Sequence, residues 1–182
     1  CVVGPGLGQG AWSRSLLSGV CGLDMPQVWD ADALNLLAAG QVAAPRQGVL
    51  TPHPGEAARL LGIDTASVQA DRPAAARALA QRFGLVVVLK GAGSLVAASD
   101  GRLALCDRGH PAMAGAGLGD VLAGLIGALL AQGMAAYDAA CMAVWLHARA
   151  GEVLAAQGRG LAAGDLPCAI RQLLEELCPG VK

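Results

Sequence analysis

Along most of the chain, short apolar runs that stop at glycine, aspartate or lysine alternate with Ala/Leu-rich stretches of helical period. That alternation predicts an α/β domain with a mainly parallel sheet. Strands are predicted at Cys1 to Val3, Val28 to Asp30, Val49-Leu50 and Leu85 to Lys90, each running into turn chemistry or a helix start. Leu95 to Ala98 and Leu103 to Cys106 flank Asp100-Gly101, a strong hairpin signal that breaks the βα order with an antiparallel pair. Helices are predicted at Asp32 to Ala39, Gly55 to Leu61, Pro73 to Phe83 with Gly84 as the stop, Gly119 to Ala131, Tyr137 to Ala156 and Asp165 to Leu177. The helices opening at Gly119 and Tyr137 are apolar nearly all round, so they pack on more than one face.

Length bounds this pattern to a single domain over 1–182. Ala contributes 38 residues and Gly 26 against five aromatics, so the core is built by close packing of small residues. At 54% hydrophobic and 15% charged, the composition excludes disorder over most of the chain. A net charge of -1 leaves no basic field for nucleic acid. The longest charge-free apolar stretch, Val121 to Tyr137, is too short and too interrupted to cross a membrane. Six cysteines without a metal-type spacing read as reduced thiols in a cytoplasmic protein. No basic segment followed by an apolar run opens the chain, so no signal peptide is expected.

Polar chemistry collects at the carboxyl ends of the predicted strands, the edge where open α/β sheets bind ligands. Gly115-Ala116-Gly117-Leu118-Gly119-Asp120 opens an apolar helix. Converging amides and the positive end of the helix dipole make such a start an anion hole. Asp120 would repel a phosphate there unless it has a task, such as taking a proton from a hydroxyl; the alternative is that the glycines only permit packing and Asp120 is an N-cap. Lys90-Gly91-Ala92-Gly93-Ser94 follows an apolar strand and retains one of only two lysines among thirteen basic residues. A compact ammonium on a flexible loop suits a phosphate, or else it is an ordinary turn with a solvated lysine.

In Thr51-Pro52-His53-Pro54-Gly55-Glu56 two prolines hold His53 in an extended loop, and Glu56 falls in the first helical turn. Dipole complementation accounts for Glu56 equally well, and a surface loop for His53. His110 could face the same pocket, whereas His147 in an apolar helix reads as a satisfied core histidine. Gly4-Pro5-Gly6-Leu7-Gly8 offers a further backbone-lined loop. In Asp30-Ala31-Asp32-Ala33-Leu34-Asn35, Asp32 reads as an N-cap and Asp30 as a weak candidate for substrate or metal. No triad spacing for a nucleophile is present.

The ordered set GPGLG, DADALN, TPHPGE, VVVLKGAGS and AGAGLGDVLAGLIGALLAQG closely resembles the ADP- or ATP-dependent NAD(P)H-hydrate dehydratases of the ribokinase-like superfamily, over essentially the whole chain. The resemblance implies an α/β/α three-layer fold and a repair reaction, nucleotide-driven removal of water from the hydrated nicotinamide ring of NADH or NADPH. It implies that Lys90, Gly91, Ala92, Gly93 and Ser94, with Gly117 and Gly119, contact ADP or ATP, and that Asp120 is the catalytic base facing the hydrated ring. It also implies substrate contacts from His53, Gly6 and Gly8, and an action of Glu56 through Mg²⁺ and water, since His53-x-x-Glu56 stands where sugar kinases of the superfamily carry N-x-x-E. Where the family reads G-N-P-G-M-A-T-A-G, this chain has Gly109-His110-Pro111-Ala112-Met113-Ala114-Gly115-Ala116-Gly117.

The leading strands that the family carries before GPGLG do not precede it here. The expectation is therefore a sheet lacking its N-terminal strands, and a 182-residue chain that self-associates, as a homo-oligomer or an aggregate, and turns over slowly by itself. A small-molecule hydroxyl kinase and a noncatalytic nucleotide-binding fragment are the rival readings, and a fused upstream epimerase domain is left open.

Overall fold

Six apolar runs form the strands β1 (Val2–Val3), β2 (Gln27–Trp29), β3 (Gly48–Leu50), β4 (Val86–Leu89), β5 (Leu95–Ala97) and β6 (Leu103–Leu105). In the computed structural model, which describes residues 1–180, they form one sheet in the order β1-β2-β3-β4-β5-β6. The predicted 1–182 span thus ends two positions outside the described residues. β1 to β4 run parallel, with Val28 opposite Val2 and Val49, and Val86 opposite Val49. β5 and β6 are antiparallel, as the Asp100-Gly101 turn predicts. Gly101 takes a positive φ of 95° in that turn, and Ala98 N–H donates to the Arg102 carbonyl at 3.0 Å.

Among the described residues, eight α-helices cover the sheet: α1 (Ala11–Val20), α2 (Ala31–Ala38), α3 (Pro54–Leu61), α4 (Thr65–Ala70), α5 (Arg72–Phe83), α6 (Leu118–Ala131), α7 (Ala136–Ala155) and α8 (Leu166–Leu177). Successive strand residues point to opposite faces, and both faces are apolar. Trp29, Leu50, Val87 and Leu89 pack with residues of α1 to α5. Val28, Val49, Val86 and Val88 pack with α6 and α7. The result is three layers, α/β/α. Ala123, Ala139, Ala140 and Ala143 are fully buried between sheet and helices, which is the small-residue core that the Ala and Gly content predicts. Leu118, Leu146, Ala150 and Leu166 form a smaller cluster that seats α8 on α6 and α7.

The six predicted helices form with bounds shifted by about a residue. Two others, α1 and α4, went unread. α1 carries three serines and a glycine, weak helix formers, and is held by burial of Leu17 and by the Ser13 hydroxyl donating to the Leu7 carbonyl at 2.8 Å. α4 is six residues long and is stabilised by Asp64, which accepts from Ser67 N–H and Oγ at 2.8 Å each. A second difference concerns Asp32. The N-cap of α2 is Asp30, and the Asp32 carboxylate instead accepts from Gly8 N–H at 2.8 Å and Gln9 Nε2 at 3.0 Å. Asp32 therefore braces the GPGLG loop.

Candidate active site

The carboxyl ends of β2, β3 and β4 meet at one edge of the sheet. Parallel pairing in register brings Asp30 to the end of β2, Thr51-Pro52-His53 to the end of β3 and Lys90 to the end of β4. Lys90 N–H donates to the Pro52 carbonyl at 2.9 Å, which fixes the start of its loop. Its Nζ lies 2.6 Å from Asp30 Oδ1 and 4.0 Å from Glu56 Oε2. Asp30 is 1% exposed and Glu56 5%. The ammonium is thus balanced by one buried carboxylate and faced by a second. It is not the solvated lysine of the simpler reading, and it is not a free cation either.

His53 and Glu56 form a reciprocal cap on α3. His53 Nδ1 accepts from Gly55 N–H at 3.0 Å and Glu56 N–H at 3.4 Å, and Glu56 Oε2 accepts from His53 N–H at 2.8 Å. An accepting Nδ1 puts the proton of the neutral ring on Nε2, which lies 3.4 Å from Glu56 Oε1. The prolines explain this geometry, since Pro54 pre-sets the first helical residue and holds His53 extended. The helix-terminus reading of Glu56 is realised, and both its oxygens face donors.

α6 starts at Leu118 behind Gly117, which sits at the N-cap with φ 79°. The amides of Leu118, Gly119 and Asp120 have no partner within the helix, so they remain available to an anion. A Cβ at residue 119 would lie 3.4 Å from Lys90 Nζ and 3.8 Å from Asp30 Oδ2, so the helix end comes within van der Waals reach of the ion pair. Asp120 is exposed in this first turn and is not its N-cap. His147 of α7 donates from Nε2 to the Leu118 carbonyl at 2.8 Å. Burial holds its pKa below the ordinary histidine value, with Lys90 adding to the effect and the Leu118 bond opposing it. It is the satisfied histidine that its apolar helix predicts.

These pieces border a cavity of about 930 Å³. His53, Lys90, Gly91, Ala92, Gly93, Ser94 and Gly119 line it, joined by His110, His147 and the loop from Asp107 to Gly115. Glu56 lies buried behind Lys90. Gly117 packs toward Ala163, and Asp120 is one residue beyond the lining. Gly6 and Gly8 are exposed at the same sheet edge without lining this cavity.

Two supports escaped the sequence. Arg72, at the start of α5, bonds the underside of the Lys90–Gly93 loop. Glu152 of α7 accepts from Gly109 N–H at 3.0 Å and from Arg149 at 2.8 Å, tying down the other loop. Neither carries a local signal, since each acts on a loop distant in sequence.

Among the described residues no group of three or more His, Cys, Asp or Glu side chains could hold a metal ion. With Glu56 engaged by His53, the donors present fit Mg²⁺ only as an ion that arrives with phosphates and keeps its waters. All six thiols are unpaired. Among the described residues, no helix is long and apolar enough to cross a membrane.

The chain is similar in sequence and in fold to known proteins. A family model described as NAD(P)H-hydrate dehydratase covers residues 1–174. The chain is 49% identical over 175 residues to the bifunctional NAD(P)H-hydrate repair enzyme Nnr of Escherichia coli K12, covering 95% of this chain and 34% of that one. It is 46% identical to an ADP-dependent (S)-NAD(P)H-hydrate dehydratase of Neisseria meningitidis, covering 94% of this chain and 62% of the relative. The chain thus spans about a third of the bifunctional relatives and under two thirds of the shorter one. Among solved structures, the Bacillus subtilis ADP/ATP-dependent NAD(P)H-hydrate dehydratase co-crystallised with ATP/Mg²⁺ superimposes with a TM-score of 0.86 at 30% identity, over 96% of this chain and 63% of that one. A hydroxyethylthiazole kinase from Pyrococcus horikoshii shares the fold, at a TM-score of 0.69 and 21% identity.

Proposed function

The chain belongs to the NAD(P)H-hydrate dehydratase family, with its ribokinase-like fold, and from that premise we propose that its sheet-edge pocket takes ADP or ATP together with hydrated NADH or NADPH and removes water from the nicotinamide ring. The observation that carries the reading is the start of α6: unpartnered amides and an exposed Asp120 carboxylate stand beside a cavity edged by Lys90 to Ser94. An amide cluster and a neighbouring base are what phosphoryl transfer to a hydroxyl requires.

In this reading Asp120 accepts the proton of the ring hydroxyl. The hydroxyl oxygen attacks the terminal phosphorus of ATP, the P–O bond to the leaving nucleotide breaks, and ADP departs; with ADP as donor, AMP departs. The ring C–O bond then breaks, phosphate carries off the former hydroxyl oxygen, and the neighbouring carbon loses a proton as the double bond forms. The sum is hydrated dinucleotide plus ATP giving NADH or NADPH, ADP, phosphate and a proton. The amides at Gly117 and Gly119 and the Lys90–Ser94 loop hold the phosphates, while His53, Gly6 and Gly8 contact the dinucleotide. Bound Mg²⁺ would supply charge neutralisation on the phosphates, and Glu56, buried and already facing His53 and Lys90, would act on it only through one of its waters.

We place the protein in the cytoplasm as a homo-oligomer without a nucleic-acid or membrane partner, a reading supported by unpaired thiols and a net charge of -1. The decisive assay incubates the protein with hydrated NADH and ADP or ATP and follows reduced-nicotinamide absorbance and inorganic phosphate together. Equal release of both supports dehydration. A stable phosphorylated dinucleotide without phosphate release would make the protein a kinase instead.

A further inference from the structure

Arg72 is the first residue of α5, and its side chain reaches under the loop that follows β4. Nη2 donates to the carbonyls of Leu89 at 3.3 Å, Lys90 at 3.4 Å and Gly93 at 3.2 Å, and Nη1 donates to Gln69 Oε1 at 3.0 Å. All four acceptors are neutral oxygens, so the guanidinium is solvated by dipoles and its charge stays uncancelled by them. Gly91 has φ 139°, a conformation that favours glycine, and a Cβ there would come within 2.9 Å of Nη1 and press on the guanidinium. With the carbonyls turned to Arg72, the amides of Gly91, Ala92 and Gly93 find no acceptor among the described residues, and these residues line the cavity. Lys90 cannot supply the attraction alone, because Asp30 at 2.6 Å already balances it.

We propose that Arg72 is the positioning residue of the nucleotide loop: by binding the carbonyl at the end of β4 and two of the loop's own, at Lys90 and Gly93, it holds the Gly91–Gly93 amides ready for phosphate oxygens and places an unbalanced positive charge behind them. The proposal rests on the reading of this pocket as a nucleotide site. Converging amides from successive residues form an anion-binding concavity, and such a concavity in a glycine loop loses its shape unless something holds the opposite side. A guanidinium offers a planar fork of donors that spans several carbonyls at once, whereas a lysine offers a point charge on a flexible stem. Burial lowers the Arg72 pKa from its ordinary value, and a guanidinium is in general always protonated in proteins, so the charge is present.

The test compares the intact chain with Arg72→Gln and Arg72→Lys. For Arg72→Gln the KM for ATP or ADP should rise about tenfold or more, the loss anticipated when several hydrogen bonds to a charged donor are removed. The KM for hydrated NADH should stay within about twofold and kcat at saturating nucleotide within a few-fold, because no group that touches the ring is altered. Amide hydrogen exchange at Lys90 and Cys106, whose N–H groups bond the Pro52 and Ser94 carbonyls and so flank the loop, should accelerate, and Arg72→Lys should recover part of the nucleotide affinity while leaving exchange fast. Unchanged nucleotide KM and unchanged exchange in a folded Arg72→Gln protein would overturn the proposal, as would equal weakening of both substrates. If Arg72→Gln does not fold, the same comparisons decide on Arg72→Lys. Should the unaltered chain bind no adenine nucleotide by calorimetry, the pocket assignment fails, whereas Arg72 is still judged by whether exchange at Lys90 and Cys106 responds to its replacement.

Discussion

Asp30 is a fully buried carboxylate whose charge is met by the Lys90 ammonium at 2.6 Å, across sixty positions of sequence. Removing one member of a buried pair costs more than removing both, because the survivor is left desolvated and unpaired. Lys90→Met is therefore expected to destabilise the fold by about 3 to 5 kcal/mol, and the double variant Lys90→Met with Asp30→Asn to regain most of that loss. Chemical denaturation of the two proteins checks it, and equal midpoints would place the pair outside the stability balance. Asp120 presents the opposite case, an exposed carboxylate in the first turn of α6. Asp120→Asn should lower turnover by about a hundred- to ten-thousandfold while nucleotide affinity changes by a few-fold; near-normal turnover would leave it without a role in proton transfer.

Between elements, the contact that most directly sets the α6 terminus is the bond from His147 on α7 to the Leu118 carbonyl. The folded-state pKa of His147 is depressed below its ordinary 6.5 by burial first. Below that ordinary value the unfolded chain takes up a proton that the folded chain refuses, so stability falls as pH drops from about 6.5 toward the folded-state pKa and is level above it. The unfolding midpoint should decline as pH falls below about 6.5, and His147→Gln should flatten the decline. An identical pH dependence in both proteins would remove His147 as its source. Glu152 and Asp100 are both held below the usual carboxylate range, by the Gly109 amide and by Arg102 respectively, so their titration lies on the acid side of this window.

Across the whole molecule, the sheet ends at β1, where Val2 is 40% exposed, and α1 presents Trp12 at 69% and Leu16 at 39%. Open strand edges and grouped apolar side chains favour association. Sedimentation velocity of the 182-residue chain should show a mass that rises with concentration, and Trp12→Ser should shift it toward the monomer; a concentration-independent monomer in both would show that this surface is inert.

The strands, the parallel-then-antiparallel sheet, the six helices of strong period and the glycine loops at the strand ends were legible in the chain, unlike α1 and α4, because each depends on local periodicity or on a backbone conformation that only certain residues adopt. Lys90, His53 and Gly119, which line the cavity, stood out for the same reason, as polar or glycine punctuation at strand and helix ends. What the folded chain alone decided is which side chain meets which. Lys90 turns to Asp30, Asp32 braces Gly8 and leaves the cap of α2, Arg72 grips a loop seventeen to twenty-one residues away, and Glu152 holds Gly109 from α7. Those partnerships depend on how far apart elements lie after packing and on which charges are then cut off from water. Neither quantity is a property of any short stretch of sequence.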